Sequence, residues 1–138
     1  MSKATIYRTR VISDNDYAGD PDGLVQLAHL LLSKSVDVRA VTSSHLLKVG
    51  PWPIPDQPAA AGADEAQIVV DLIGSNTKVL AGSDLPMPEA GVATNSVAVD
   101  FLIEEALRDS DVPLFVLCGG PLPVVASALI KRPEISSR

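Results

Sequence analysis

The chain has 138 residues, of which 46% are hydrophobic and 20% charged, a composition typical of one globular domain over residues 1–138. Its 11 basic and 17 acidic residues give a formal net charge of −6 at pH 7, which argues against binding to nucleic acids or to anionic membranes. The apolar runs are too short to span a bilayer. One cysteine, Cys118, and an N-terminus without the apolar run of a secretion signal indicate a cytoplasmic protein.

The first part of the chain predicts a strand, a helix and a second strand. Residues 5–13 are rich in β-branched side chains and predict the first strand, and the turn formers of residues 14–21 predict a loop after it. Apolar residues recur at helical spacing over residues 24–31, so we expect a helix that begins at Asp22. Residues 36–43 predict the second strand.

The same alternation continues to the end of the chain. Helices are predicted over residues 62–74 and 94–108, and strands over residues 76–81 and 112–118. Thr94 is the expected N-cap of the third helix. The nearly unbroken apolar run of the fourth strand is typical of a central strand that is buried on both faces. Gly119 and Gly120 then lead into a last helix that ends near Lys131.

This order of elements predicts the fold class. Strands that alternate with helices imply right-handed crossovers, and therefore an α/β fold with an open, mainly parallel sheet of at least four strands and helices on both faces. Ligands of such sheets bind at the carboxyl ends of the strands. Four segments follow those ends and are expected to share one rim: residues 14–22, 43–45, 82–84 and 119–120.

The loop after the first strand is strongly acidic. Its aspartates are Asp14, Asp16, Asp20 and Asp22. Carboxylates at this spacing repel one another, and oxygen ligands without thiols suit a hard cation such as Ca²⁺ or Mg²⁺. The alternative is a solvated turn in which Asp20 or Asp22 only caps the next helix. An EF-hand is excluded, because counting from Asp14 puts Ala18 and Val25 where that loop needs oxygen ligands.

Two classes of phosphate-binding protein find less support in the sequence. A haloacid dehalogenase-like phosphatase also begins with Asp-x-Asp after a first strand, but its later acidic and lysine motifs are not found here. The chain has neither a P-loop nor a GxGxxG pattern. The pair Gly119 and Gly120 is either a tight turn or a place where the backbone approaches a ligand with its carbonyls exposed.

Four segments in a fixed order resemble one known family. They are VISDNDYAGDPDGLVQLAHLL at residues 11–31, VLAGSDLPM at 79–87, NSVAVDFLIEEAL at 95–107 and VLCGGPLPVVASALIKRPEI at 116–135. All four are similar to segments of the inosine-uridine-preferring nucleoside hydrolases. In that family the first segment reads D-x-D-x-x-x-D-D before an apolar helix, and the last contains G-P-L-T-N. The resemblance extends over nearly the whole chain.

The resemblance implies a calcium-dependent hydrolase of the N-glycosidic bond of ribonucleosides. By motif position Asp16 is the implied general base and a calcium ligand. Asp14 and Asp22 are further implied ligands, and Gly119 lies where the family offers a backbone carbonyl to the ion. Water attacks C1′ of the ribose through an oxocarbenium-like state while the base departs.

Two residues are implied to contact the substrate. Asp20 replaces the ribose-binding aspartate of the family if the inserted Pro21 lets it turn inward; otherwise that role is lost. His45 follows the second strand, where the family places ligand contacts. Trp52, in a proline-rich segment, either anchors its loop or stacks on a base. Pro123 and Val124 stand where the family commonly has Thr-Asn.

Family members are roughly twice as long as this chain, and their second half holds the ribose and protonates the departing base. The expectation is therefore an N-terminal half of the fold that has little activity alone. The competing hypothesis is a metal- or ribose-binding half-domain without catalysis, which forms a homo-oligomer or associates with a separate C-terminal half through an open sheet edge. In both cases the expected ligand is a nucleoside or another ribosyl small molecule.

Overall fold

A computed structural model describes residues 9–47 and 53–138 of the chain. The strands are β1 (Thr9–Asn15), β2 (Val36–Ser43), β3 (Lys78–Ala81) and β4 (Leu114–Cys118). The helices are α1 (Asp22–Leu32), α2 (Pro58–Ile73), α3 (Val97–Leu107) and α4 (Pro123–Lys131), followed by a 3₁₀ turn, Pro133–Ser137. Within these residues no helix has both the length and the apolar character needed to cross a bilayer.

The four strands form one parallel sheet in the order β3-β2-β1-β4. This confirms the α/β class and the parallel sheet expected from the sequence. The register places Asp14 of β1 between Thr42 of β2 and Cys118 of β4. Because paired residues of parallel strands point to the same face, these three side chains lie on one side of the sheet.

Helices cover both faces of the sheet, as predicted. One core cluster centres on Ile12 and contains residues of α3 and α4, including Val99 and Val124. The second lies against α1 and α2 and includes Leu27 and Val41. Neighbouring side chains of β1 point to opposite faces of the sheet, because side chains alternate along a strand.

The structure corrects two of the predicted boundaries around the first strand and the third helix. The strand predicted over residues 5–13 continues to Asn15, because Asp14 and Asn15 pair with β2; residues 5–8 lie outside the described part. Thr94 is not the N-cap of α3. That position belongs to Ser96, whose Oγ accepts the Val99 N–H at 3.2 Å, whereas the Thr94 N–H donates to Ser127 Oγ.

The expectation that the fourth strand is central and buried on both faces is wrong for the described residues. β4 forms the edge of their sheet and pairs only with β1 there. Phe115 is 54% exposed, and Cys118 is exposed as well. An apolar run shows how hydrophobic a strand is. The neighbours of that strand in the sheet depend on how the whole chain crosses over.

Helix α2 begins four residues before its predicted start because a distant side chain caps it. The Oδ1 atom of Asp84, in the loop after β3, accepts the backbone N–H groups of Ala59 at 2.8 Å and Ala60 at 3.3 Å. The helix's own N-cap, Gln57, makes no side-chain cap bond, and Pro58 suits the first turn. A carboxylate at this end also meets the positive end of the helix dipole.

We expect Asp84→Ala to lower the free energy of unfolding by about 1 kcal/mol, the usual cost of losing a cap. Urea denaturation followed by circular dichroism measures the change. Asp56→Ala is the control, since Asp56 is also acidic and close to the helix start but makes no side-chain hydrogen bond in the described residues. Equal losses in the two variants would contradict a specific capping role.

Candidate functional site

The strand order places a topological switch point between β1 and β4. The chain runs outward from β1 to β3 and then returns to the other side of β1. In open parallel sheets, ligands bind outside the carboxyl ends of the strands at such a point. A cleft of about 730 Å³ lies there, within the size range of small-molecule sites. Its lining includes Asp16, Asp20, Leu46, Ile54, Gly119 and Gly120.

Backbone hydrogen bonds join the carboxyl ends of the four strands into the shared rim that the sequence predicts. They run from Gly119 N to Asp14 O (2.9 Å), from Ser44 N to Asn15 O (3.0 Å) and from Gly82 N to Ser43 O (2.8 Å). The acidic loop and the glycine loop therefore lie side by side. Asp16 and Gly119 line the same cleft, as one ion with both as ligands would require.

Asp14 is a buried carboxylate with one unsatisfied oxygen. It is 1% exposed at the end of β1, and its Oδ1 accepts a hydrogen bond from Thr42 Oγ1 at 2.6 Å. Its Oδ2 is buried and has no hydrogen-bond partner. Burial raises the pKa of Asp14 to about 7; the Thr42 bond opposes this rise and the nearby charge of Asp16 adds to it. A buried acceptor without a partner is costly unless a ligand satisfies it.

Asp16 lies one residue beyond β1 and is half-buried at the cleft. Burial raises the pKa of its carboxyl group, and the negative charges of Asp22 and Asp20 raise it further, against an opposing hydrogen bond to its own backbone and the attraction of His45. The two carboxylates of the set that lie closest to the sheet thus both hold their protons more tightly than usual. A cation bound near them would reverse that effect.

The other two aspartates are exposed to solvent. Asp20 lines the cleft, where a ligand can reach it. Asp22 is the first residue of α1, and its Oδ1 already accepts a hydrogen bond there, from the Gly23 N–H at 2.8 Å. Among the described residues, no three His, Cys, Asp or Glu side chains lie close enough together to hold a metal ion. Chelation by this loop therefore requires side-chain movement.

The end of β2 adds more buried polar atoms without partners. His45 is 5% exposed, and its Nδ1 makes no hydrogen bond; the hydroxyls of Ser43 and Ser44 are likewise buried and unpaired. Burial lowers the pKa of His45, although the charge of Asp16 opposes this. The Nδ1 atom of His45 thus lacks a hydrogen-bond partner, but His45 is not among the residues that line the cleft.

Sequence reasoning missed two residues of this site, Thr42 and Asn15, and left the role of a third, Gly120, open. Thr42 donates a hydrogen bond to Asp14, a contact that only the register of β1 and β2 reveals. Asn15 accepts the Asp16 N–H, and its position between two aspartates is the one sequence signal that marked it. Gly120 allows the Asp16 carboxylate to approach, because a Cβ there would lie 2.7 Å from Asp16 Oδ1. Trp52 lies outside the described residues.

Comparison with known proteins does not assign the chain to a family. No protein-family model matches it, and a search of curated proteins finds no match. The fold and the site therefore define the class: an open parallel α/β protein with an acidic cleft at its topological switch point. The charged side chains in the cleft lining are the carboxylates of Asp16 and Asp20, and carboxylate oxygens are ligands that a hard divalent cation prefers.

Proposed function

We propose that the chain carries the calcium site and the general base of a nucleoside hydrolase-like enzyme, which hydrolyses the N-glycosidic bond of a ribonucleoside. The observation that carries the metal site is Asp14 Oδ2, a buried oxygen without a partner beside the Asp16 carboxylate. The position of the cleft between β1 and β4 supports it. The reaction itself is proposed from the family resemblance of the four sequence segments.

The roles of the residues are proposed from their motif positions in the resembling family. Asp16, Asp20 and Gly119 line the cleft, whereas Asp14, Asp22 and His45 are not among its lining residues. Asp16 is the proposed base, because it occupies the motif position of the base in the resembling family and its carboxylate lines the cleft that an attacking water can enter. Asp14, Asp16, Asp22 and the Gly119 carbonyl are the proposed calcium ligands. Asp22 Oδ1 accepts the Gly23 N–H, so Oδ2 is the oxygen that Asp22 would offer to the ion.

A calcium ion held by these residues would supply a positive charge that lowers the pKa of a nearby water and attracts the ribose hydroxyls. The carboxylates of this chain neutralise that charge and hold the base close to the water. Asp20, which lines the cleft, is the proposed acceptor of hydrogen bonds from ribose hydroxyls. His45 is the proposed substrate contact from the end of β2, and because it is buried outside the cleft lining, that contact requires the ring to move. Leu46 and Ile54 form an apolar wall that suits the flat face of a nucleobase.

Calcium binding by the 138-residue chain tests the metal site directly. We expect calorimetry to show saturable Ca²⁺ binding that Asp16→Asn weakens at least about ten-fold, because the variant removes one ligand charge but keeps the side-chain shape. Asp109→Asn is the matched control: it makes the same charge change at an exposed residue before β4, at the opposite end of the sheet. Absent or equal binding by wild type and Asp16→Asn would remove the metal site.

A second assay separates catalysis from binding. The chain with Ca²⁺ is incubated with purine and pyrimidine nucleosides and the release of ribose is measured. We expect slow turnover or none by the chain alone, since the groups that hold ribose and protonate the base in the resembling family belong to a second half of the fold. Calcium binding with no turnover, even when such a half is supplied, would favour the non-catalytic binding domain.

A further inference from the structure

The side chain of Asn15 lies buried at the centre of the site, between the two aspartates. It is 3% exposed and is the last residue of β1. Its Oδ1 accepts the backbone N–H of Asp16 at 2.9 Å, and its Nδ2 donates to Gln26 Oε1 of α1 at 3.4 Å. The amide group therefore orients the backbone at the residue we propose as the base.

The same amide packs against glycines from two other elements. A Cβ added at Gly23, in the first turn of α1, would lie 2.7 Å from Asn15 Nδ2. A Cβ added at Gly119 would collide with that nitrogen and would stand 2.7 Å from Cγ and 2.8 Å from Oδ1. The Gly119 backbone therefore packs directly against the Asn15 amide. Both positions leave room for Asn15 only as glycine.

We infer that Asn15 is the positioning residue of this site. Its amide sets the distance between the loop of Asp16 and the loop of Gly119, which come from β1 and β4 and are proposed to ligate one ion. This inference rests on the proposed calcium site. Residues that orient metal ligands in this way typically contribute ten- to a hundred-fold to affinity. The Oδ1 atom is the part of the amide that fixes the Asp16 backbone, whereas Nδ2 links the same side chain to Gln26 of α1.

The test compares Ca²⁺ affinity with thermal stability in variants of the 138-residue chain. We expect Asn15→Leu, which keeps the number of side-chain heavy atoms but loses the acceptor, to weaken Ca²⁺ binding about ten-fold or more. Asn15→Asp keeps the acceptor for the Asp16 N–H and is expected to bind Ca²⁺ at least as tightly as wild type. Asn76→Leu, the same change at an exposed residue before β3, is the control and should leave the affinity unchanged.

A double variant distinguishes positioning from simple packing, and remains informative if Asn15→Leu does not fold. In Asn15→Ala with Gly119→Ala, the new methyl group occupies the space that the amide vacates. We expect the double variant to melt at a higher temperature than Asn15→Ala alone but to remain weak in Ca²⁺ binding. Recovery of both properties together would show that Asn15 only fills space.

Two further outcomes would overturn the inference in different ways. Ca²⁺ binding by wild type with unchanged affinity in Asn15→Leu would remove the positioning role and leave the calcium site in place. Absence of Ca²⁺ binding by wild type would remove the calcium site, and the role of Asn15 with it.

Discussion

Replacing Glu105 with glutamine should lower the free energy of unfolding by about 3–5 kcal/mol, the range found when one partner of a buried ion pair is removed. Glu105, on α3, is 5% exposed and Arg10, on β1, is 6% exposed. Their side chains meet at 2.7 Å between Oε1 and Nη1. Arg39 of β2 donates to the same carboxylate at 3.1 Å, and Arg108 lies 3.5 Å from it.

The loss arises mainly from the arginine that remains. Without the carboxylate charge, Arg10 is a buried cation whose remaining acceptors are backbone carbonyls, those of Val112 and Glu105. Burial by itself raises the pKa of Glu105, but the hydrogen bonds from Arg10 and Arg39 outweigh it and the pKa lies below its ordinary value. Glu105 therefore stabilises the fold at pH values above the pKa that it has in the unfolded chain. This stabilisation is lost as the pH falls through the pKa that Glu105 has in the folded protein.

Urea denaturation at neutral pH measures this effect. Glu104→Gln, the neighbouring exposed glutamate on α3, is the matched control and should change the free energy of unfolding by less than about 0.5 kcal/mol. Joint replacement of Arg10 by methionine and Glu105 by leucine should recover most of the loss, since apolar residues can replace a buried pair. A loss below about 1 kcal/mol in Glu105→Gln would contradict the buried pair.

The second large effect is a pH dependence that comes from Asp14. Burial raises the pKa of this carboxyl group from 3.8 to about 7, so folding favours its protonated form. The corresponding stability is fully present below the unfolded pKa and is lost as the pH rises through the folded pKa. Between about pH 5 and about pH 8, the wild type should lose about 3 kcal/mol relative to Asp14→Asn, which is neutral at every pH.

The comparison with Asp14→Asn is needed because other groups titrate in the same window. The pKa of Asp16 is also raised, whereas that of His45 is lowered and changes stability in the opposite direction. Urea unfolding of both proteins, in metal-free buffer, at several pH values gives the difference directly. A difference that is constant with pH would show that Asp14 titrates normally. Added Ca²⁺ should reduce the stability that the wild type loses between the two pH values, because a bound cation favours the charged form of the carboxyl group.

Local patterns in the sequence were enough for the order of strands and helices and for much of their extent. The start of α1 at Asp22 and the bounds of β2 agree with the prediction, because the spacing of apolar residues directly reports a helical or extended backbone. The convergence of the acidic and glycine loops also followed, since parallel strands present their carboxyl ends at one edge. The predicted site residues Asp16, Asp20 and Gly119 line one cleft for that reason.

The tertiary structure alone decided which residues meet across the fold. The apolar run of β4 did not reveal that it lies at the edge of the described sheet, beside β1. Nor did the sequence indicate that Asp14 is buried against Thr42 with one oxygen unpaired, or that Glu105 joins arginines of two strands. These contacts link residues 28 to 95 positions apart. Local periodicity reports which face of an element is buried, but the partner on that face depends on strand order and register, which only the packing of the chain as a whole determines.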